Sequence, residues 1–180
     1  MTPEEYLRIE RAAEFKSEYL GGKMFAMAGG NDPHSTISVN VTTELTLQLR
    51  GTSCQTFNSD MRLHIPATGL YTYADAVAVC GPPELVDGDN LLNPVLMVEV
   101  LSPSTQNYDR GDKFVSYRSI QSLREYLIIA QHRPLVEQWA LKNGHWTLTE
   151  YQSGDVRLWG VEASLPFAEL YRNVQFGNAS

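Results

Sequence analysis

Two carboxylates stand inside stretches that otherwise have the composition of buried strands. Asp75 lies in YADAVAVC and Glu99 lies in VLMVEVL, each between apolar neighbours. A buried carboxylate is costly unless it is paired, hydrogen-bonded or bound to a metal ion. Side chains alternate along a strand, so each acid shares a face with apolar residues such as Val77 and Met97. If the two strands are neighbours, both carboxylates open into one cleft.

The chemistry that such a pair favours is divalent-metal binding. Two carboxylates and a nearby backbone carbonyl form a hard oxygen-ligand set that suits Mg²⁺ or Mn²⁺, with waters and a substrate phosphate in the remaining positions. Lys113 follows on a predicted helix, and Asp109 shares its face because it lies four residues earlier. A lysine ammonium beside metal-bound water would orient the nucleophile and offset developing phosphoryl charge.

The same residues also fit a purely structural role. Glu99 would then be a buried acid paired with Lys113 or Arg110, and Asp75 would cap a loop at a strand end. Asp109 and Lys113 would form an ordinary pair worth a few tenths of a kcal/mol, about 0.2–0.5. Two isolated acids do not decide between these interpretations.

The elements before these acids include two helices and a hairpin. Thr2 and Pro3 begin a short helix over residues 3–14, and Gly21-Gly22 is typical of a two-residue hairpin turn, with Glu18 on its first arm. The segment 33–50 fits both helical and strand periodicity, and its length favours a helix.

From Gly51 onward the pattern predicts short strands, a helix over residues 104–119 and a meander of three strands that contains an Asn143-Gly144 turn. These elements predict an α+β fold with a mixed central β-sheet flanked by helices. We expect one domain over residues 1–180, with a core at about 19–151 and a C-terminal extension at 152–180.

Composition narrows the class of protein further. The 180 residues carry a net charge of -7, so the surface as a whole repels phosphate backbones and a nucleic-acid site must be local or must recruit a cation. Cys54 and Cys80 have no zinc-site spacing and are expected to be free buried thiols. A charged N-terminal stretch and the lack of long apolar runs predict a cytoplasmic protein with no membrane span.

Four short strings in the second half of the chain carry a resemblance to a known family. VEVLSPST, YDRGDKF, SYR and LREYLII resemble the Uma-type family of restriction endonuclease-like domains of unknown function, which belongs to the PD-(D/E)XK nuclease superfamily. The resemblance runs from about Tyr19 to Tyr151, and its specific part is the segment from Glu99 to Tyr126. It implies the restriction-endonuclease-like fold and metal-dependent hydrolysis of DNA.

The resemblance also implies roles for individual residues. Asp75 corresponds to the aspartate of the family's Pro-Asp-Val pattern, Glu99 to its strand glutamate and Lys113 to a lysine on the following helix. Glu18 and His34 match an early acid and a histidine near the family's active site. His34 would bind phosphate or transfer a proton; the alternative is a polar residue at the start of the long helix.

Two departures from the superfamily pattern bear on activity. Ala74 precedes Asp75 where the superfamily has proline, which changes backbone stiffness but removes no ligand. Leu101 stands two residues after Glu99, where the superfamily has its lysine. Hydrolysis therefore requires that Lys113 reach the cleft from its helix.

The resulting hypothesis is a metal-dependent endonuclease. Asp75, Glu99 and the Val100 carbonyl would hold Mg²⁺ or Mn²⁺, Glu18 would lie nearby, and DNA would be the partner. Four residues are candidates for local cations: Arg62, Arg110, Lys113 and Arg118. A homodimer is expected only by analogy with nucleases that pair to cut two strands. Two alternatives are a noncatalytic interaction module and a metal-dependent hydrolase of a smaller phosphate ester.

Overall fold

The helices begin where the sequence supplies caps. The computed structural model describes residues 1–102 and 106–176. Helix α1 (Pro3–Glu10) starts with a capping box in which Thr2 and Glu5 satisfy each other's backbone N–H groups. It ends four residues before the predicted boundary. Helix α2 (Asp32–Leu49) is capped by Asn31 and confirms the helical interpretation of this segment.

The strands form two main sheets and a small hairpin within the described residues. In chain order they are β1 (Ser17–Leu20), β2 (Lys23–Ala26), β3 (Cys54–Asn58), β4 (Arg62–Ile65), β5 (Leu70–Tyr73), β6 (Ala76–Cys80), β7 (Leu85–Val86), β8 (Asn90–Leu91), β9 (Leu96–Leu101), β10 (Glu125–Ala130), β11 (Val136–Lys142), β12 (His145–Tyr151), β13 (Asp155–Arg157) and β14 (Ser164–Pro166).

The larger strands form the central sheet, in the order β12-β11-β10-β9-β6-β3. Its β9–β10 pair is parallel and its other pairs are antiparallel, so it is mixed as predicted. The second sheet has the order β2-β1-β5-β4-β8-β7 and carries the N-terminal hairpin. Both predicted hairpin turns are confirmed, because Gly21-Gly22 and Asn143-Gly144 have the positive φ angles that such turns require.

The predicted strand YTYADAVAV is in fact two strands in different sheets. The chain leaves the second sheet after Tyr73 and enters the central sheet at Ala76, so Ala74 and Asp75 lie at the crossing point. One apolar cluster lies between α2 and the central sheet, and another lies between the central sheet and the second sheet. Asp75 therefore lies where the two sheets meet.

A helical segment follows β9 and departs from regular α-helix geometry. Short helix α3 (Gln106–Tyr108) continues as one π-helical turn at Asp109–Lys113 and ends as α4 (Phe114–Tyr117). The predicted helix over 104–119 is therefore present in its described part, while positions 104 and 105 lie outside the described residues. Such π-helical turns are rare and often occur at functional sites.

The C-terminal part packs onto the core. Strands β13 and β14 pair with each other, and helix α5 (Phe167–Leu170) contacts α2. Asn40 on α2 donates hydrogen bonds to the carbonyls of Leu170 and Arg172, at 3.1 and 2.9 Å. None of the helices in the described residues is long and apolar enough to cross a membrane.

The expectation of free thiols is wrong. Cys54 on β3 lies directly opposite Cys80 on β6, and the two form a disulfide. The sequence spacing of 26 residues gave no sign of this contact, because cross-strand neighbours are set by the register of β3 against β6.

Candidate active site

Asp75, one residue before β6, and Glu99 on β9 meet at one edge of the central sheet. The antiparallel register of β6 and β9 pairs Ala76 with Val98, and its extension by one residue sets Asp75 opposite Glu99. The backbone N–H of Val100 donates a 2.7 Å hydrogen bond to Asp75 Oδ2. This bond fixes the Asp75 carboxylate beside the strand that carries Glu99.

The π-helical turn brings Lys113 into the same place. Its Nζ lies 2.9 Å from Glu18 Oε1, 3.0 Å from Glu99 Oε1 and 3.5 Å from Asp109 Oδ1. All four side chains are buried, none being more than 9% exposed. Three carboxylates therefore surround one ammonium, and the cluster has a surplus of negative charge.

Burial and this charge balance shift the proton affinities of the cluster. Burial raises the pKa of Glu99 well above its ordinary value, and the neighbouring charges of Asp109 and Asp75 raise it further against the opposing effect of Lys113. Burial lowers the pKa of Lys113, but the carboxylates of Glu99, Glu18 and Asp109 outweigh burial and raise it well above its ordinary value. Lys113 is therefore an ammonium at neutral pH.

His34 lies on the first turn of α2 and faces Asp75. Its Nε2 is 3.4 Å from Asp75 Oδ2, and Ser38 Oγ donates a 3.3 Å hydrogen bond to Asp75 Oδ1. Burial lowers the pKa of His34, yet its hydrogen bond with Asp75, that carboxylate's charge and a hydrogen bond with the Val100 backbone raise it overall. Gly30 packs against the imidazole, since a Cβ at that position would lie 2.5 Å from Nδ1.

The acid cluster, Lys113 and His34 line one cavity of about 1000 Å³. The structure brings together all the site residues expected from the sequence, namely Glu18, His34, Asp75, Glu99, Val100 and Lys113. The structural pairing of Glu99 with Lys113 is also present, whereas the alternative partner Arg110 binds Glu137 instead. Geometry alone is thus compatible with a structural ion pair and with a reaction site.

The donor chemistry of the cluster fits a hard divalent cation. Among residues 1–102 and 106–176, no three His, Cys, Asp or Glu side chains are grouped to hold a metal ion. Magnesium, however, is commonly held by one or two carboxylates, with waters and substrate phosphates completing its coordination. Asp75, Glu99 and the Val100 backbone supply such a partial set, and a bound cation would offset the surplus negative charge.

Comparison with known proteins places the chain in a family. The model of the Uma2 family, described as "Putative restriction endonuclease", matches residues 3–173. The chain belongs to the Uma2 family. The match extends beyond the segment 19–151 in which the resemblance was visible, and it supports a nuclease-like hydrolase as the general class of this Uma2 protein.

Similar proteins are found in Synechocystis and Anabaena. Two uncharacterized proteins of Synechocystis sp. (strain ATCC 27184 / PCC 6803 / Kazusa) are 35% and 34% identical to this Uma2 chain, over 98% and 93% of it and 94% and 93% of their own lengths. A crystal structure from Anabaena variabilis ATCC 29413, described as "a putative nuclease belonging to DUF820", matches with a TM-score of 0.76 at 18% identity, over 95% of this chain and 97% of that one. The fold is thus restriction-endonuclease-like.

The structure of this Uma2 protein accounts for leucine at position 101, where the superfamily has lysine. Leu101 is buried in the apolar cluster that also contains Phe114 and Tyr117, on the helix after Lys113. The strand position where the superfamily has lysine therefore packs against the helix, and Lys113 reaches Glu99 from that helix. Tyr117 adds a 2.8 Å hydrogen bond from its hydroxyl to Glu99 Oε1.

Three of the four predicted local cations do not line the cavity. Arg62 is buried, donates hydrogen bonds to Asn90 Oδ1 at 2.7 Å and the Tyr73 hydroxyl at 3.1 Å, and also pairs with Asp89. Arg110 pairs with Glu137, and Arg118 lies over the ring of Phe114. Of the four candidates Arg62, Arg110, Lys113 and Arg118, only Lys113 lines the cavity.

Sequence reasoning missed several residues around Lys113 and Asp75. The ring of Tyr108 lies 5.6 Å from Lys113 Nζ, and Ser38 binds Asp75. Asp109 was placed beside Lys113 by its four-residue spacing but was not assigned to the site. Ser38 lies one helical turn after His34, a spacing that would have found it once His34 was placed in the cleft.

Proposed function

We propose that this Uma2 protein is a divalent-metal-dependent endonuclease that hydrolyses phosphodiester bonds in DNA. The observation that carries the proposal is the convergence of Asp75, Glu99 and Lys113 in one large cavity. A structural role needs Lys113 beside Glu99, but it does not need Asp75 next to the adjoining strand or His34 beside Asp75. Membership in the family described as restriction endonucleases supports the same reaction class.

Each residue would contribute one elementary task. Asp75, Glu99 and the Val100 carbonyl would hold Mg²⁺ or Mn²⁺, which when bound polarises the scissile phosphate and lowers the pKa of water. Lys113 is held by Glu18 and Asp109 in addition to Glu99. Because its pKa is raised, it acts as a hydrogen-bond donor that positions the nucleophile or stabilises developing phosphoryl charge, and not as a base.

His34 would act on the other side of Asp75. Its raised pKa keeps the imidazolium form to higher pH than in a free histidine. An imidazolium at this position would donate a hydrogen bond to a phosphate oxygen or a proton to the leaving group. Gly30 leaves the space that the ring occupies.

The test measures metal binding and DNA strand cleavage in the same set of proteins. Magnesium and manganese are titrated calorimetrically into the wild type, Asp75→Asn and Glu99→Gln, and the same proteins are assayed for plasmid nicking. We expect both variants to lose metal binding and to nick at least about 100-fold more slowly, since metal-ion stabilisation of the transition state is worth several kcal/mol. Asp155→Asn, an exposed carboxylate change on β13, serves as the matched control.

The outcomes separate the candidate functions. Wild-type protein that binds no metal and nicks no plasmid contradicts both hydrolase hypotheses and leaves the interaction module. Metal-dependent cleavage of nucleotides or other small phosphate esters without cleavage of DNA would support the second alternative instead.

A further inference from the structure

Two exposed aromatic rings line the cavity of the candidate active site. Phe15 is 80% exposed and Phe25 is 49% exposed, and both line the cavity that holds Asp75 and Glu99. Single exposed apolar side chains are ordinary on protein surfaces. Here two exposed phenylalanines line the same cavity as the carboxylates, so they offer a ligand in that cavity an apolar surface.

The register of the N-terminal hairpin connects one of these rings to the acid cluster. Phe25 on β2 lies directly opposite Glu18 on β1. Residues directly opposite in an antiparallel pair project from the same face of the sheet, with Cβ atoms about 4.5–5.5 Å apart. Glu18 in turn contacts Lys113 at 2.9 Å. The Phe25 ring therefore lies beside the proposed reaction site.

The charges of the cavity do not favour binding through phosphate groups. Glu14 and Asp112 add acidic side chains to its lining, and Lys16 is held by the carboxylate of Asp60 and the carbonyl of Ser59. Lys113 is buried among carboxylates. Binding of duplex DNA draws much of its affinity from lysine and arginine contacts to phosphates. A nucleic acid bound here must take its affinity from other contacts.

We propose that the substrate of this site is nucleic acid with unpaired bases, which stack on Phe25 and Phe15 while the backbone crosses the acid cluster. This inference rests on the proposed function for the reaction itself. Stacking on aromatic rings needs no lysine or arginine, and it is open to single strands because their bases present free faces. Both phenylalanines and the acids line one cavity, so one ligand can contact both.

The first experiment measures binding without relying on hydrolysis. Fluorescence anisotropy follows a labelled single-stranded oligothymidylate, and the same strand annealed to its complement, against full-length protein in EDTA and in calcium. Calcium is a hard cation that takes the same oxygen ligands as magnesium. We expect the single strand to bind more tightly than the duplex.

Variants then locate the contact. We expect Phe25→Ala to weaken single-strand binding between about fivefold and a hundredfold, as removal of a base-stacking aromatic does. We expect Phe15→Ala to weaken single-strand binding as well. Phe25→Trp retains the binding because an aromatic ring is kept. Trp159→Ala removes an exposed aromatic that does not line the cavity, and it leaves binding unchanged.

The results distinguish failure of this inference from failure of the proposed function. Metal-dependent nicking of duplex plasmid that is unaffected by Phe25→Ala contradicts the single-strand inference but supports the proposed endonuclease function. Phe25-dependent binding of single strands without cleavage in magnesium or manganese contradicts the proposed endonuclease function but supports single-stranded nucleic acid as the ligand. Absence of binding, equal binding of duplex, or self-association that Phe25→Ala abolishes overturns the inference.

Discussion

At the scale of single residues, Lys113 is the group on which the site's charge balance depends. Its ammonium lies within 3.5 Å of carboxylate oxygens from Glu18, Glu99 and Asp109. Replacement by methionine keeps the length and apolar stem but leaves three carboxylates facing one another. Removal of one partner from a buried ion pair costs about 3–5 kcal/mol, and we expect Lys113→Met to lower the free energy of unfolding by that amount at pH 7.

Urea unfolding of the wild type and Lys113→Met measures this change. Lys23→Met is the matched control, because Lys23 is exposed on β2 and makes no ion pair among those found in the described residues. We expect this control to change the free energy of unfolding by less than about 0.5 kcal/mol. A Lys113→Met protein as stable as the wild type would show that the carboxylates are neutralised without the lysine.

At the scale of elements, local signals explain what was predictable. The glycine and asparagine turns at 21–22 and 143–144 determine hairpins through their backbone conformation alone. The apolar residues around Glu99 correctly predicted its strand, whereas Asp75 lies one residue before β6 and not inside a strand; extension of the observed β6–β9 register brings the two acids together. The hairpins and the strand of Glu99 depend on neighbours close in sequence, and sequence reasoning found them.

The features that were missed depend on pairing between distant segments. The division of YTYADAVAV between two sheets arises from which strands β5 and β6 pair with, and no local signal marks it. The disulfide between Cys54 and Cys80 follows from the β3–β6 register. The contact of Lys113 with Glu99 was expected, but the π-helical turn that carries Lys113 was not, because helix type cannot be read from apolar spacing.

Glu125 at the start of β10 provides a test of how one element holds another. It is fully buried, and its Oε2 accepts 2.8 Å hydrogen bonds from the backbone N–H groups of Trp159 and Gly160. Burial raises the pKa of Glu125 above its ordinary value of 4.5, although these hydrogen bonds and that of Gln138 oppose the shift. The carboxyl therefore anchors the segment that follows β13 to the central sheet.

The raised pKa makes the stability contribution of Glu125 depend on pH. The folded state holds a proton over a pH range in which the unfolded state has lost it, so stability falls as pH rises through that range. Glu125→Gln has no such titration. We expect the difference in free energy of unfolding, wild type minus Glu125→Gln, to increase as the pH is lowered from about 7 to about 5. Urea unfolding at several pH values measures it, and a constant difference contradicts the assignment.

At the scale of the whole molecule, the C-terminal segment decides where the domain ends. The sequence predicts a core at 19–151 followed by an extension at 152–180. In the structure, five apolar side chains of this segment are buried in the cluster beneath α2: Val156, Leu158, Val161, Leu165 and Leu170. Burial of each contributes about 1.5–3 kcal/mol, or about 8–15 kcal/mol together.

That sum is comparable to the entire stability of a typical domain, about 5–15 kcal/mol. We therefore expect a chain truncated after Tyr151 to lose cooperative folding, whereas a chain ending at Phe176 keeps it. Far-UV circular dichroism and urea unfolding of the two truncated chains and the full chain make the comparison. Cooperative unfolding of the 1–151 chain would mean that α2 and the central sheet bury enough apolar surface without β13, β14 and α5, and that the segment is an accessory layer.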